Sequence, residues 1–218
     1  MTADAVLFDL DGLLIDSEPV WYAVEEAAVE RLGGTWSLEH QANCVGGTMT
    51  ESCAYIVELT GAGVDPAELA QQLLDEMAAR FAEHLPLHRG AIELLDALAA
   101  RAVPVGLVTS SYWALVNPAL KVLGAHRFAV VVTGEDVTRG KPDPEPYALA
   151  CVRLGVAPHR TVVLEDAPFG VASAEAAGCR VVAVPSVAPV EPTPGRTVVE
   201  SLEDVDVECL LRLVPGSD

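Results

Sequence analysis

The sequence predicts an α/β fold: a doubly wound parallel sheet covered by helices on both faces, with an all-α unit inserted after the first strand. Three observations predict it. Short apolar runs rich in Val and Leu recur at residues 5–10, 103–108, 128–133, 161–164 and 180–184, each the length of a buried strand and none strictly alternating with polar residues. Longer stretches of helical periodicity separate them, and alternating strands and helices make a parallel sheet with right-handed crossovers. Between residues 18 and 85 helical patterns dominate and no β-branched run intervenes.

Taken in order, the run 5–10 is too brief for the apolar core of a secretory leader and reads as the first strand. Helical patterns follow at 20–32, 50–60 and 66–84. This unit begins near Ser17-Glu18-Pro19 and ends near Pro86-Leu87-His88-Arg89-Gly90, so the expected division is 1–16 with 87–218 as one domain and 17–86 as the other. Two chain crossings between them make a natural hinge. The helix expected at 91–101 places Ile92, Leu94, Leu95 and Leu98 on one side. Strand 103–108, helix 113–123, strand 128–133, helix 144–154, strand 161–164, helix 169–177 and strand 180–184 then alternate. Pro185, Pro189, Pro192 and Pro194 mark a surface loop before a last short strand near 197–199.

Composition narrows the function. Lys and Arg number 13 against 32 Asp and Glu, and the net charge of −19 would repel polyphosphate backbones, so no nucleic-acid partner is expected. The same field opposes anionic metabolites, so a phosphate-handling site needs a local cation, which points towards a bound metal. The uncharged stretch 102–120 is divided between a strand and a helix by Thr109-Ser110-Ser111 and does not read as a membrane span, so no membrane partner is expected and the protein reads as soluble and cytoplasmic. Five cysteines without a C-x-x-C pair read as small buried thiols rather than a disulfide framework. The sequence sets no oligomeric state.

The chemistry concentrates where strands end. The first strand runs into Phe8-Asp9-Leu10-Asp11-Gly12; in extended chain positions i and i+2 share a face, so Asp9 and Asp11 would point together into the crevice at the strand ends. Two carboxylates so close need a cation between them or one proton. One can then attack while the other handles protons. The second strand ends in Thr109-Ser110-Ser111, hydroxyls able to hold phosphate oxygens. Gly140-Lys141-Pro142-Asp143-Pro144 follows the third and places Lys141 at a helix entrance, where it could neutralise a phosphoryl group. The fourth ends in Glu165-Asp166, completing an oxygen-rich set that suits Mg²⁺ better than zinc or copper. Singly, each motif also fits a turn, a helix cap or a solvated lysine; as an ordered set on four strands of one sheet they point to one site.

This set, Asp9-Leu10-Asp11-Gly12, Thr109, Lys141 and Glu165-Asp166, resembles the haloacid dehalogenase superfamily over nearly the whole chain. The resemblance implies a Rossmann-like core and a magnesium-dependent phosphatase acting on a small phosphorylated metabolite through an aspartyl-phosphate intermediate. By it Asp9 is the nucleophile, while Asp11 protonates the leaving oxygen and then activates water. Thr109, Ser110 and Lys141 hold phosphoryl oxygens. Mg²⁺ is bound by the carboxylates of Asp9 and Asp166 and the carbonyl of Asp11, with Glu165 behind them. The helical insertion corresponds to the family's type 1 cap.

Asp11 argues against dehalogenases, which lack the second aspartate. The alternative is a β-phosphoglucomutase-like phosphomutase, which shares the stretch seen here from Asp9 to Ser17. That group carries a cap histidine and a phosphate-gripping cap arginine, whose positions correspond here to Trp21 and Met49, so hydrolysis is the expectation. Trp21 and Met49, with Glu18, Tyr22 and Thr48, are candidate substrate contacts; Trp21 and Met49 equally fit as cap core. Sugar phosphates and phosphoglycolate are the expected substrates. A rival of another class is a non-catalytic module that binds a phospho-ligand, which should have lost Asp9, Asp11, Lys141 or Asp166.

Overall fold

The computed structural model describes residues 2–44, 49–186 and 188–214. Six strands, β1 (Ala5–Phe8), β2 (Val105–Val108), β3 (Val130–Val132), β4 (Thr161–Glu165), β5 (Arg180–Ala183) and β6 (Arg196–Val198), form one sheet in the order β3-β2-β1-β4-β5-β6. All five pairings are parallel. This is the expected α/β class.

Side chains alternate between two apolar layers, as strand geometry requires. Val6, Phe8, Leu107, Val162, Leu164 and Val182 join one buried cluster together with Leu94, Leu95 and Leu98 of α5 (Ala91–Ala99) and Leu115, Val116 and Ala119 of α6 (Trp113–Leu123). Leu7, Val108, Val132, Val163 and Val181 face the other way, onto Tyr147, Ala150 and Cys151 of α7 (Glu145–Leu154) and Val171 and Ala174 of α8 (Pro168–Ala176). Burial on both faces explains why these strands read as unbroken apolar runs.

Between β1 and α5 lie α1 (Glu18–Arg31), α2 (Leu38–Cys44), α3 (Met49–Thr60) and α4 (Pro66–Glu83). Helix α4 starts cleanly: the Asp65 side chain accepts from the Ala67 N–H at 2.9 Å and Pro66 occupies the first turn. Its buried Leu69, Leu73, Met77 and Phe81 repeat at spacing four, and that stripe continues the sheet's first apolar layer. The short α2 and the C-terminal α9 (Val207–Leu211) are the helices the sequence reading did not foresee. The strand expected at 5–10 stops at Phe8, because the chain turns at Gly12, whose φ of 82 places it in the left-handed region.

Strand order reverses beside β1: later strands add first on its β2 side, then on its β4 side. Ligands of open parallel sheets bind at such a switch point, beyond the carboxyl ends of the strands. The residues following β1, β2 and β4 are Asp9, Thr109 and Asp166. No helix among the described residues is long and apolar enough to cross a membrane.

Candidate active site

At that edge the buried polar residues gather. Asp9, Thr109, Glu165 and Asp166 are all buried, and the carboxylates of Asp9, Glu165 and Asp166 converge so that one oxygen from each lies within 4.8 Å of the others. Lys141 reaches them from the loop before α7, its side chain only 7% exposed. Its Nζ donates to Asp9 Oδ1 at 2.6 Å, to Glu165 Oε1 at 2.6 Å and to the Val108 carbonyl at 3.0 Å. All three ammonium protons thus have acceptors.

Glu165 is fixed from the far side. The Tyr147 hydroxyl donates to its Oε1 at 2.6 Å, and the Asp166 N–H donates to its Oε2 at 3.1 Å. Lys141 Nζ also stands 5.0 Å from the Tyr147 ring centroid. Gly170 makes the fit possible, since a Cβ there would lie 1.8 Å from Glu165 Oε1. Asp166 accepts from the Ser186 hydroxyl through Oδ2, and a Cβ at Gly12 would lie 2.2 Å from that same oxygen.

Asp11 has different partners. Its Oδ2 accepts from the Ser111 hydroxyl at 2.7 Å and the Thr109 hydroxyl at 3.3 Å, while Thr109 Oγ1 accepts from the Ser111 N–H at 2.9 Å. Asp11 Oδ1 is buried without a hydrogen-bond partner, as is Ser17 Oγ. Asp9 and Asp11 are therefore electrostatic neighbours held by separate contacts, one by the lysine and the other by hydroxyls.

The electrostatics follow from this geometry. Burial lowers the Lys141 pKa, but the charges of Asp9 and Glu165 outweigh it and the net direction is upward, so the ammonium stays charged. Burial pushes Asp9 well up; Lys141 opposes this, and Glu165, Asp166 and Asp11 reinforce it. Asp166 is pushed up to about 7 by burial and by Glu165. Asp11 is raised by burial against the lowering effect of Ser111, Ser17 and Thr109. One ammonium facing three buried carboxylates leaves negative charge unbalanced, and an all-oxygen donor set of this kind suits a hard divalent cation.

The structure thus brings together Asp9, Asp11, Thr109, Lys141, Glu165 and Asp166. Ser110 is exposed, and it is the next residue, Ser111, that meets Asp11. Trp21 and Met49 are half-buried and pack on the large apolar cluster, with the Cys53 thiol 3.8 Å from the Met49 sulfur. Tyr22 is also half-buried, and Gln41 Nε2 donates to Glu18 Oε2 at 3.2 Å. Thr48 lies outside the described residues. Sequence reasoning missed Tyr147, Ser186 and Gly170; only Ser111, adjacent to Thr109-Ser110, carried a local signal.

An aspartate held against a buried lysine at the switch point of a parallel sheet, with further carboxylates beside it, defines an α/β enzyme built for anionic substrates. The chain belongs to the haloacid dehalogenase-like hydrolases, whose family model matches residues 6–184, and within that superfamily it is a phosphatase. It is 38% identical over 194 residues to hexitol phosphatase A of Escherichia coli (strain K12), covering 84% of each chain. It is 38% identical over 177 residues to validoxylamine A 7'-phosphate phosphatase of Streptomyces hygroscopicus subsp. limoneus, covering 79% of this chain and 81% of that one. A HAD hydrolase of family IA, variant 3, from Entamoeba histolytica HM-1:IMSS shares the fold, with a TM-score of 0.85 at 24% identity over 97% of this chain and 99% of that one.

Proposed function

We propose that this phosphatase is Mg²⁺-dependent and hydrolyses a small phosphorylated metabolite, a sugar or polyol phosphate, through an aspartyl-phosphate formed on Asp9. The observation that carries the reading is the Lys141 bridge between Asp9 and Glu165, with Asp11 held separately by Ser111 and Thr109.

Asp9 attacks phosphorus through a carboxylate oxygen, and the bond to the leaving oxygen breaks. Asp11 gives that oxygen a proton. Burial favours its protonated form, and Oδ1, which accepts no hydrogen bond, is the atom free to carry the proton. Once ionised, Asp11 takes a proton from the water that attacks the aspartyl-phosphate, which regenerates Asp9 and releases phosphate. Lys141, Thr109 and Ser110 hold phosphoryl oxygens, Lys141 as the fixed positive charge that meets the spreading negative charge.

The convergent carboxylates of Asp9, Glu165 and Asp166 fit a divalent ion. Asp9, Asp166 and the Asp11 carbonyl would hold Mg²⁺, and Glu165, engaged by Lys141 and Tyr147, would stand behind them. The ion supplies charge neutralisation for the phosphoryl oxygens. Residues 17–86 act as a cap over the core formed by 1–16 and 87–218, with Trp21 and Met49 towards substrate, and closure excludes water during transfer. The two relatives, hexitol phosphatase A and a validoxylamine A 7'-phosphate phosphatase, support a sugar or polyol phosphate as substrate. The net charge of −19 weighs against a nucleic-acid partner.

The test is a panel of p-nitrophenyl phosphate, hexose and hexitol phosphates, β-glucose 1-phosphate and phosphoglycolate, with Mg²⁺ and with EDTA, following both free phosphate and isomer. Metal-dependent phosphate release is expected. Isomerisation without release would establish a phosphomutase instead.

A further inference from the structure

Among the cysteines, Cys151 and Cys179 meet. Cys151 lies on α7 and Cys179 immediately before β5; both thiols are free and buried, and their sulfurs stand 4.0 Å apart in the apolar layer beneath α7 and α8. Cys209 is exposed, and the Cys53 sulfur faces that of Met49 at 3.8 Å.

Neighbouring contacts fix both members of the pair. Cys151 Sγ also reaches Thr161 Oγ1, at the start of β4, at 3.7 Å, and that hydroxyl donates to the Ala157 carbonyl at 3.1 Å. The Cys179 N–H donates to the Ala174 carbonyl at 3.0 Å, which anchors the turn to the end of α8. A sulfur–sulfur bond is about 2 Å long, so closure needs an approach of about 2 Å, which two short side chains can share. A buried thiol alone is a small apolar filler. Two in contact differ, because the Cys179 thiol can donate to the Cys151 sulfur and favour its thiolate against burial, and the thiolate is the reactive form.

We propose that Cys151 and Cys179 form an oxidation site, a dithiol that a small hydroperoxide closes to a disulfide within the native fold, tying α7 to the start of β5. The Cys151 thiolate attacks a peroxide oxygen, the O–O bond breaks, and the sulfur becomes a sulfenic acid as hydroxide leaves. The Cys179 sulfur then attacks Cys151, the S–O bond breaks, and the departing oxygen takes the Cys179 proton away as water. The sulfurs are oxidised, and the peroxide is reduced to water once the hydroxide regains the proton that Cys151 had lost. The bridge joins positions 28 apart and encloses β4 and α8, with Glu165 and Asp166 between them. A cross-link over such a loop restricts the unfolded chain, so the bridged protein is the more heat-resistant form.

The test uses the full-length Cys209→Ser protein, which lacks the exposed thiol, treated with hydrogen peroxide while folded and then alkylated in denaturant. Mass spectrometry should find a Cys151–Cys179 cross-link, with Cys44 and Cys53 alkylated. The melting temperature should rise by several degrees and return on addition of dithiothreitol. Cys151→Ala and Cys179→Ala in the same background should each lose both the cross-link and the shift, and either one that folds serves as the control. Alkylation of every remaining thiol, or a cross-link mapped to Cys44 and Cys53, would overturn the assignment. So would a Cys151–Cys179 cross-link that lowers the melting temperature, because the native fold would then have to be broken to make it.

Discussion

Replacing Glu25 by glutamine should make the protein more stable at neutral and alkaline pH and leave it nearly unchanged in acid. Burial, with Glu18 beside it, pushes the carboxyl from its ordinary 4.5 up to about 7. In the window between those values the folded chain keeps a proton that the unfolded chain has released, so wild-type stability falls as pH rises through it. Below the window both states are protonated; above it both are ionised and the penalty is constant. At about 1.4 kcal/mol per tenfold change in proton affinity, the full penalty is about 3 kcal/mol, and about 2 kcal/mol once screening at its wetted edge is allowed for. Glutamine removes the charge at nearly constant volume. Chemical denaturation of both proteins near pH 5 and near pH 8 should therefore show the variant's advantage growing by about 2 kcal/mol, or melting temperatures separating by about 4–8 °C. Asp9, Asp11 and Asp166 titrate in both proteins and cancel in the difference. A variant advantage that does not change with pH, or a wild type that is the more stable at pH 8, would refute the reasoning, since the carboxylate would then be ionised and partnered.

Three further outcomes are expected. Asp9→Asn keeps an oxygen for Lys141 but loses the nucleophile, so it should melt within a few degrees of wild type while phosphate release falls at least ~10³-fold; near wild-type turnover would exclude covalent catalysis at this residue. Gly170→Ala would set a methyl 1.8 Å from Glu165 Oε1, displacing the carboxylate from Lys141 and Tyr147; breaking a buried pair should cost about 3 kcal/mol in denaturation and lower turnover with it. Asp166, pushed up to about 7 by burial and Glu165, must be ionised to hold a metal. Calorimetric Mg²⁺ affinity should therefore weaken by up to about tenfold per pH unit below that value and level off above it.

Much of the sheet was legible because its strands are buried on both faces, so their apolar runs stand out against the helical stretches between them. Helix α2 was not, because its sequence, LEHQANC, is polar and only seven residues long, with a single buried residue at Cys44. The site residues at strand ends were legible as Asp, Thr, Lys and Glu-Asp in order. Their supports were not: Tyr147 is one aromatic in a helix, and Ser186 lies in a proline-rich loop far along the chain from the Asp166 it contacts. Those contacts arise only when α7 packs against β1, β2 and β3 and the loop after β5 brings Ser186 to Asp166, which local pattern does not encode. Ser110 and Ser111 show the same limit, because adjacent hydroxyls at a strand end point differently once the turn is set.

The direction in which each acid is shifted separates structural from functional carboxyls along this chain. Asp4 is held down by Arg160, Glu145 by the N–H groups of Thr138 and Arg139, and Asp136, against the effect of burial, by Arg153 and Thr133. Each caps or clamps the scaffold, and its charge is welcome where it sits. Asp9, Asp11, Asp166 and Glu25 are pushed the other way, first by burial in every case. Folding gains nothing from a desolvated carboxyl that apolar packing could replace at lower cost. Such groups therefore point to a ligand, and among the described residues they gather at the strand ends around Lys141, with Glu25 apart from them on α1.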